Sequence, residues 1–342
     1  MSAKLLTLLL KIGKFFVITP SRPDQTHQTI YQKIWALIVF LFLTLCTIFW
    51  FINRISRYAK YVHIKLVMRI LRHILKYCLC SYAIIGASFF NSKPWCKLLS
   101  KLQDVEESRF FYVEFLITNA VFWLVSLFST YSYFGFSLFK RFEIVVTSLV
   151  QSYVMFYYNY LIYAILKIIR AKYKDLNKAL KKGVISSKQI ETSLFNLKEI
   201  VDTFNKIFGW PLLFIIFTSS IIFLDYTDEF FNGKIFALEG RKFGMALGSY
   251  VSMALLTSYG AIVVILLCDY IGEEMTKVEE RLFKLKRASS EKEISSILVN
   301  VRYTFPKFSA AGFFVIGKST ILTVLGTVVT FLVIMVQFKE NK

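Results

Sequence analysis

Cysteine and histidine are scarce in this chain, with five and three respectively in 342 residues. Cys46, Cys78, Cys80, Cys96 and Cys268 are odd in number, fit no zinc or disulfide spacing, and mostly lie in or beside apolar runs, where a thiol packs as a small hydrophobe. His27, His63 and His73 are scattered, and no Ser-His-Asp, His-Glu-x-x-His or Cys-x-x-Cys arrangement occurs. The expectation is a protein that is not an enzyme and uses neither a metal nor a cofactor. No Asn-x-Ser/Thr acceptor is present, which suits very short external loops. Acidic residues number 22 against 42 Lys and Arg, and none stands in the middle of a long apolar run. Clear internal repeats and paired charges inside such runs, expected of a secondary transporter, are missing as well.

What the chain has in quantity is apolar surface. It is 56% hydrophobic and 17% aromatic, with 35 Phe, 19 Tyr and a mean hydropathy of +0.55. A soluble domain would not carry that composition. Charge-free runs long enough to cross a bilayer, roughly 17–25 residues, occupy Ile34–Ile52, Phe115–Phe139, Ile144–Leu166, Phe208–Leu224, Phe243–Cys268 and Ser319–Phe338. A weaker candidate covers Leu66–Phe90, free of charge only from Tyr77. The reading is seven transmembrane helices, with six as the competitor. The first run lies too far from the N-terminus, and is too long, for a cleaved signal peptide.

Orientation follows from the basic residues. With the N-terminus inside and seven crossings, the inner segments 1–33, 91–110, 167–207 and 270–318 hold about 28 of the 42 Lys and Arg. That favours an inverted topology, N-in and C-out, opposite to a G-protein-coupled receptor. The net charge of +20 borders the spans, so membrane lipid explains it and nucleic acid is not an expected partner.

The inner segments read as helices. Ser186 and Gln189 form a capping box, and Gly183 is placed to end the preceding helix. Ile190, Leu194, Leu197, Val201 and Phe204 follow at 4-3-4-3, a seam for another helix. Met275, Val278, Leu282 and Leu285 repeat the pattern after the sixth span. Ser290 and Glu293 make another capping box, leading into Ile294, Ile297, Leu298 and Val301, with Pro306 as a stop. The regions expected are 1–166 with helices one to four, 167–207 as a cytoplasmic helical segment, 208–268 with helices five and six, 269–318 as a second cytoplasmic segment, and 319–342 as the last span.

Two patterns imitate chemistry. Gly312 to Ser319 matches the phosphate-loop pattern G-x-x-x-x-G-K-S, but bulky apolar residues fill it and no strand-helix alternation surrounds it. A helix break with Lys318 at the lipid interface is the better reading. Lys65, Arg69, Arg72 and Lys76 line one helical face at 4-3-4, and the expectation is a solvated outer end of span two.

The last span carries the most suggestive pattern. Thr320, Thr323, Thr327, Thr330 and Gln337 fall on one helical face. Lipid tolerates such a stripe poorly, so it faces either a pore formed by several copies or a packed neighbouring helix. The ending TFLVIMVQF resembles the C-terminal signature of the insect gustatory receptors: T-Y, five apolar residues, then Q-F. Thr330, Gln337 and Phe338 match, while Phe331 stands at the usual tyrosine. FSAAGFFVIGKSTILTVLGTVVT, from Phe308, also resembles the family's approach to its last helix, with Gly317 where an aspartate is common.

The resemblance implies an odorant-receptor-like, all-α membrane fold in which four like or related subunits form a ligand-gated, non-selective cation channel. It implies a pore and gate at Thr320, Thr323, Thr327, Thr330, Phe331, Gln337 and Phe338, and helical cytoplasmic extensions as the subunit anchor. Leu194, Leu197, Val201, Phe204, Met275, Val278 and Leu282 are the anchor candidates. The implied ligand is a small-molecule tastant held among the outer halves of helices two to six. Tyr131, Tyr133, Ser148, Gln151 and Tyr250 are at the depth to reach it. The implied location is the plasma membrane of sensory neurons. An odorant receptor subunit is the near alternative, and a G-protein-coupled receptor or transporter the distant ones.

Overall fold

The computed structural model of the chain describes residues 4–20, 28–58, 63–102, 109–134, 142–183, 186–231, 240–288, 298–299, 305 and 307–340. Apolar runs of this length fold as helices because lipid offers the backbone no hydrogen bonds, so each segment satisfies its own. In chain order come α1 (Lys4–Phe15), α2 (Ile30–Tyr58), α3 (His63–Ile85), α4 (Ser92–Leu102), α5 (Arg109–Phe134), α6 (Phe142–Lys182), α7 (Ser187–Phe231), α8 (Gly240–Ala288) and α9 (Lys318–Glu340). A π-helical turn, Gly86–Phe90, continues α3. A small antiparallel hairpin, β1 (Ser309–Ala310) with β2 (Phe314–Val315), precedes α9. Six helices (α2, α3, α5, α6, α7 and α8) are long and apolar enough to cross a bilayer, and α9 holds a shorter apolar stretch. The weak candidate around Leu66–Phe90 is therefore a real helix, and the expected seven are present.

The outside of the bundle is apolar. α2 exposes Ile34, Leu37, Ile38, Leu41, Phe42, Leu45, Ile48 and Phe49, and α5 exposes Leu116, Ile117, Val121, Leu124, Leu127 and Phe128. A soluble protein rarely shows contiguous apolar surface on that scale, so these faces are solvated by lipid. The core runs down the middle on α6 and α7. Tyr157, Leu161, Ile165, Ile169 and Tyr173 recur every fourth residue along α6 and are fully buried. On α7, Val201, Phe204, Phe208, Leu212 and Ile215 do the same. A spacing of three and four keeps one face inward through the whole helix. α8 lies along α6, and α3 along α7.

Helix ends and breaks have local causes. Gly183 adopts φ +66 and closes α6, its N–H bonded to Leu180 O at 3.3 Å. The capping box opens α7: Ser186 N–H donates to Gln189 Oε1 at 3.2 Å, and Gln189 N–H to Ser186 Oγ at 3.4 Å. Pro211 sits inside α7 and supplies no N–H for the carbonyl four residues back, that of Ile207. The Tyr82 hydroxyl of α3 donates to this carbonyl at 3.5 Å. The capping box at Ser290 and Glu293, with Ile294, Ile297, Val301 and Pro306, lies outside the described residues; Leu298 is buried.

The region boundaries expected at 166/167, 207/208 and 268/269 all fall inside continuous helices. They mark depth along α6, α7 and α8 rather than separate units, because one hydrophobic cluster joins residues from α1 through Ile316. The seam residues lie inside the same cluster. Leu197, Val201, Phe204, Met275, Val278 and Leu282 are buried, and Leu194 packs half-buried against them, all within this one chain. Their periodicity signals helix packing, and in this chain they pack against its own helices.

Candidate functional site: a cavity between four helices and the exposed stripe of the last helix

A cavity of about 160 Å³ opens between α3, α5, α6 and α8. Its wall is formed by Lys76 of α3, Glu114, Thr118 and Phe122 of α5, Ser152 to Tyr163 of α6, and Met253 to Val263 of α8. The space exists partly because of Gly260. A Cβ there would stand 2.0 Å from Asn159 Nδ2, so the missing side chain is what lets the asparagine amide lie against α8. Phe122 stacks on Phe156 with centroids 4.5 Å apart, giving one apolar side. The polar side is assembled from three helices. Lys76 Nζ donates to Ser152 Oγ at 3.0 Å. Glu114 accepts from Lys167 at 2.9 Å and from the Tyr163 hydroxyl. Asn159 Oδ1 and the Tyr160 hydroxyl are buried without a hydrogen-bond partner. Buried polar atoms in native proteins are nearly all paired, so these two leave hydrogen-bonding capacity unused in this wall.

The basic stripe of span two is not a solvated outer end. Arg72 pairs directly with Asp225 of α7, and Arg69 Nε lies 3.6 Å from the other oxygen of the same carboxylate. Asp225 is buried, as is Lys76. The face carries buried partners because α7 continues past its charge-free run to Phe231, and Asp225, the first residue beyond that run, pairs with both arginines. The side chain of Lys65 lies outside the described residues.

Among the described side chains, none of the expected pocket residues Tyr131, Ser148, Gln151 and Tyr250 lines this cavity. Tyr131 is exposed, Ser148 is half-buried, and Gln151 is buried with its amide donating to Thr47 Oγ1 at 3.0 Å. Tyr250 packs edge-on against Tyr226 with centroids 5.5 Å apart. The side chain of Tyr133 lies outside the described residues. The cavity sits deeper: Phe122 precedes Tyr131 by nine residues, about 13 Å along α5. Sequence reasoning missed Glu114, Asn159, Gly260 and Lys76. The available signals were Glu114 and Lys167 of opposite sign near the same ends of adjacent spans, and Lys76 as the innermost of the basic stripe.

The hairpin before α9 replaces the imitated phosphate loop. Gly312 turns it with φ +80. Asn205 of α7 clamps it, donating to Lys307 O at 2.7 Å and accepting from Ser309 N–H at 3.1 Å. Gly209 is required below it, since a Cβ would press on Ala311 N at 3.0 Å. Lys318 begins α9 and pairs with Asp269 at 3.0 Å and Glu273 at 2.6 Å, both on α8.

α9 has three faces. Successive residues turn by about 100°, which sorts Val324, Val328, Phe331 and Leu332 toward the bundle, Leu322, Leu325, Val329 and Val333 to an exposed apolar face, and Thr323, Thr327, Thr330 and Gln337 to an exposed polar one. Thr320 leaves the stripe. It is buried, accepts from Gly317 N–H at 3.2 Å and donates to Val315 O at 3.3 Å, capping the helix start. Phe331 also turns inward, onto the cluster of Met68, Ile221, Leu224 and Val328. The side chain of Phe338 lies outside the described residues. Each exposed threonine donates to the carbonyl four residues back: Thr323 to Ser319 at 3.0 Å, Thr327 to Thr323 at 2.9 Å, and Thr330 to Gly326 at 2.9 Å. Their outward groups are therefore oxygen lone pairs.

Six helices long and apolar enough to cross a bilayer, packed around a partly polar cavity, fit a multi-pass membrane protein. Residues 6–342 match the family model of the 7tm chemosensory receptors, and the chain belongs to that family. Its fold is that of the insect olfactory receptor OR5 from Machilis hrabei in complex with eugenol. That structure superposes with a TM-score of 0.68 at 12% identity, over 96% of this chain and 97% of the receptor. A second structure of the same receptor gives 0.65 at 12% identity, over 98% of both chains. No curated protein sequence matches the chain.

Proposed function

We propose that the chain is a gustatory chemoreceptor subunit: a plasma-membrane cation channel of sensory neurons, built from four like or related subunits and opened by a small-molecule tastant. The observation that carries the reading is the polar face of α9. A helix that exposes Thr323, Thr327, Thr330 and Gln337 beside a separate apolar face has one side for lipid and another for something wetter. With every described stripe hydroxyl turned back on its own helix, the acceptor oxygens that remain suit a cation path. The cavity between α3, α5, α6 and α8 is the proposed ligand site, in keeping with a structural relative that was solved with eugenol. The Thr330–Phe338 ending favours a gustatory over an olfactory subunit. N-in, C-out is the proposed orientation, on the weight of inner Lys and Arg.

Cysteine substitution tests the pore. Thr323→Cys, Thr327→Cys and Thr330→Cys are expected to become blocked by a water-soluble thiol reagent while current flows. Val329→Cys and Leu325→Cys, on the lipid side, are expected to stay unmodified. Equal reaction on both faces, or none on the stripe, would sink the pore-lining reading.

A further inference from the structure

The cavity wall holds a buried ammonium with no carboxylate paired to it among the described residues. Lys76 is 8% exposed, its ammonium has three donors, and its hydrogen bond goes to Ser152. Asp225 of α7, which faces α3, is already shared by Arg69 and Arg72. The acid in the same wall, Glu114, is held by Lys167 and Tyr163. Among the described residues no carboxylate pairs with Lys76. A buried ammonium without a counter-charge is costly, and each remaining donor raises that cost. The cavity also keeps two unpaired polar atoms, Asn159 Oδ1 and the Tyr160 hydroxyl, both buried. Phe122, Phe156 and Met253 line the same cavity with apolar surface.

We infer that this cavity takes a small organic carboxylate, its anionic head on Lys76 and Ser152 and its apolar body against Phe122, Phe156 and Met253. The inference rests on the proposal that this cavity is the ligand site, and adds the ligand's chemical class. Charge sets the head group, since a charge-assisted hydrogen bond in a buried site is about twice as strong as a neutral one. Volume sets the body. A cavity of about 160 Å³ is close to one of about 150 Å³ known to admit benzene, so a single ring or a short chain fits and a long acyl chain does not.

The test uses the full chain in nanodiscs, with binding read directly by calorimetry and current read separately in cells. Benzoate and hexanoate are expected to bind at least about tenfold more tightly than benzamide and hexanol, the difference of one charged contact. Dodecanoate is expected not to bind. Lys76→Met is expected to remove the preference for the acids, while Lys76→Arg retains it. Thermal melting of each variant guards against misfolding, and Ser152→Ala offers a milder second variant, with a weakened preference. Amides binding as tightly as acids, no acid binding, or an unchanged preference in Lys76→Met would overturn the inference. Acids that bind without evoking current would instead refute the channel proposal and leave the ligand class standing. Tight dodecanoate binding would show a membrane-derived fatty acid as the occupant and refute the size argument.

Discussion

Replacing Asp225 with asparagine removes a carboxylate that serves both Arg69 and Arg72. The change keeps shape and volume, so the loss is electrostatic. Asp225 is 5% exposed at its side chain, against 15% for Arg69 and 18% for Arg72. Two guanidinium groups near 4 Å each attract it by about 4 kcal/mol in a medium of effective dielectric near 20. Most of that gain offsets the desolvation of three ions, and breaking a buried pair by losing one partner costs about 3–5 kcal/mol net. Both arginines retain some exposure and relax outward along their stems, which puts the expected loss near the lower bound, about 3 kcal/mol. That is on the order of a hundredfold in the folded-to-unfolded ratio. Arg72→Met is expected to cost less, about 1–2 kcal/mol, because Asp225 retains Arg69. The double variant is expected to fall short of the sum by at least about 1 kcal/mol. The assay is equilibrium unfolding of purified protein in mixed micelles titrated with a denaturing detergent. An Asp225→Asn protein as stable as the parent, or strict additivity with Arg72→Met, would refute the buried network and restore a solvated outer end for α3.

Two further substitutions separate competing readings of the fold and site. Leu197→Asp puts an unpaired carboxylate into the subunit's own core, at a cost of at least about 3 kcal/mol. The expected result is loss of folded protein, and surface-expressed monomers would instead favour an intersubunit seam. Phe195→Asp, two residues away and exposed, is expected to be tolerated. Gly260→Ala sets a methyl against the Asn159 amide, so ligand potency is expected to shift with surface expression maintained. An unchanged dose-response curve would place the ligand elsewhere.

The architecture was legible because each of its signals is local. Charge-free runs marked the long helices, Gly183 marked a helix end, and Ser186 with Gln189 marked a helix start, each confirmed by its own hydrogen bonds or dihedral. The site was less legible because its residues meet across helices. A 3-4 spacing states that a helix face is buried but not by whom, so Leu197 and Val278 read equally well as an intersubunit or an internal seam. Asp225 stands one residue outside an uncharged run, and nothing in its neighbours announces two arginines 153 and 156 positions earlier. Thr320 shares the stripe's spacing, but lies in the first turn of α9, where unpaired N–H groups recruit a hydroxyl. Gly260 is silent in sequence, since its function is the space it leaves for Asn159.

α6, α7 and α8 are single helices of 41, 45 and 49 residues. At 1.5 Å per residue they are rods of about 60–75 Å, twice the thickness of the hydrocarbon layer. The cavity touches α6 and α8 within their membrane portions, so it acts on them as a hand acts near the middle of an oar. A tilt of 3° there would carry an end about 30 Å away through roughly 1.5 Å. The far arms are tied together, through Asn177 to Glu274 at 2.8 and 3.1 Å and Arg281 to Asn177. The near end of α9 is tied to α8 by Lys318. If the proposed ligand site and N-in orientation hold, a small adjustment around a bound molecule would become leverage at the inner ends and at the root of the last helix, along helices that run unbroken from the cavity.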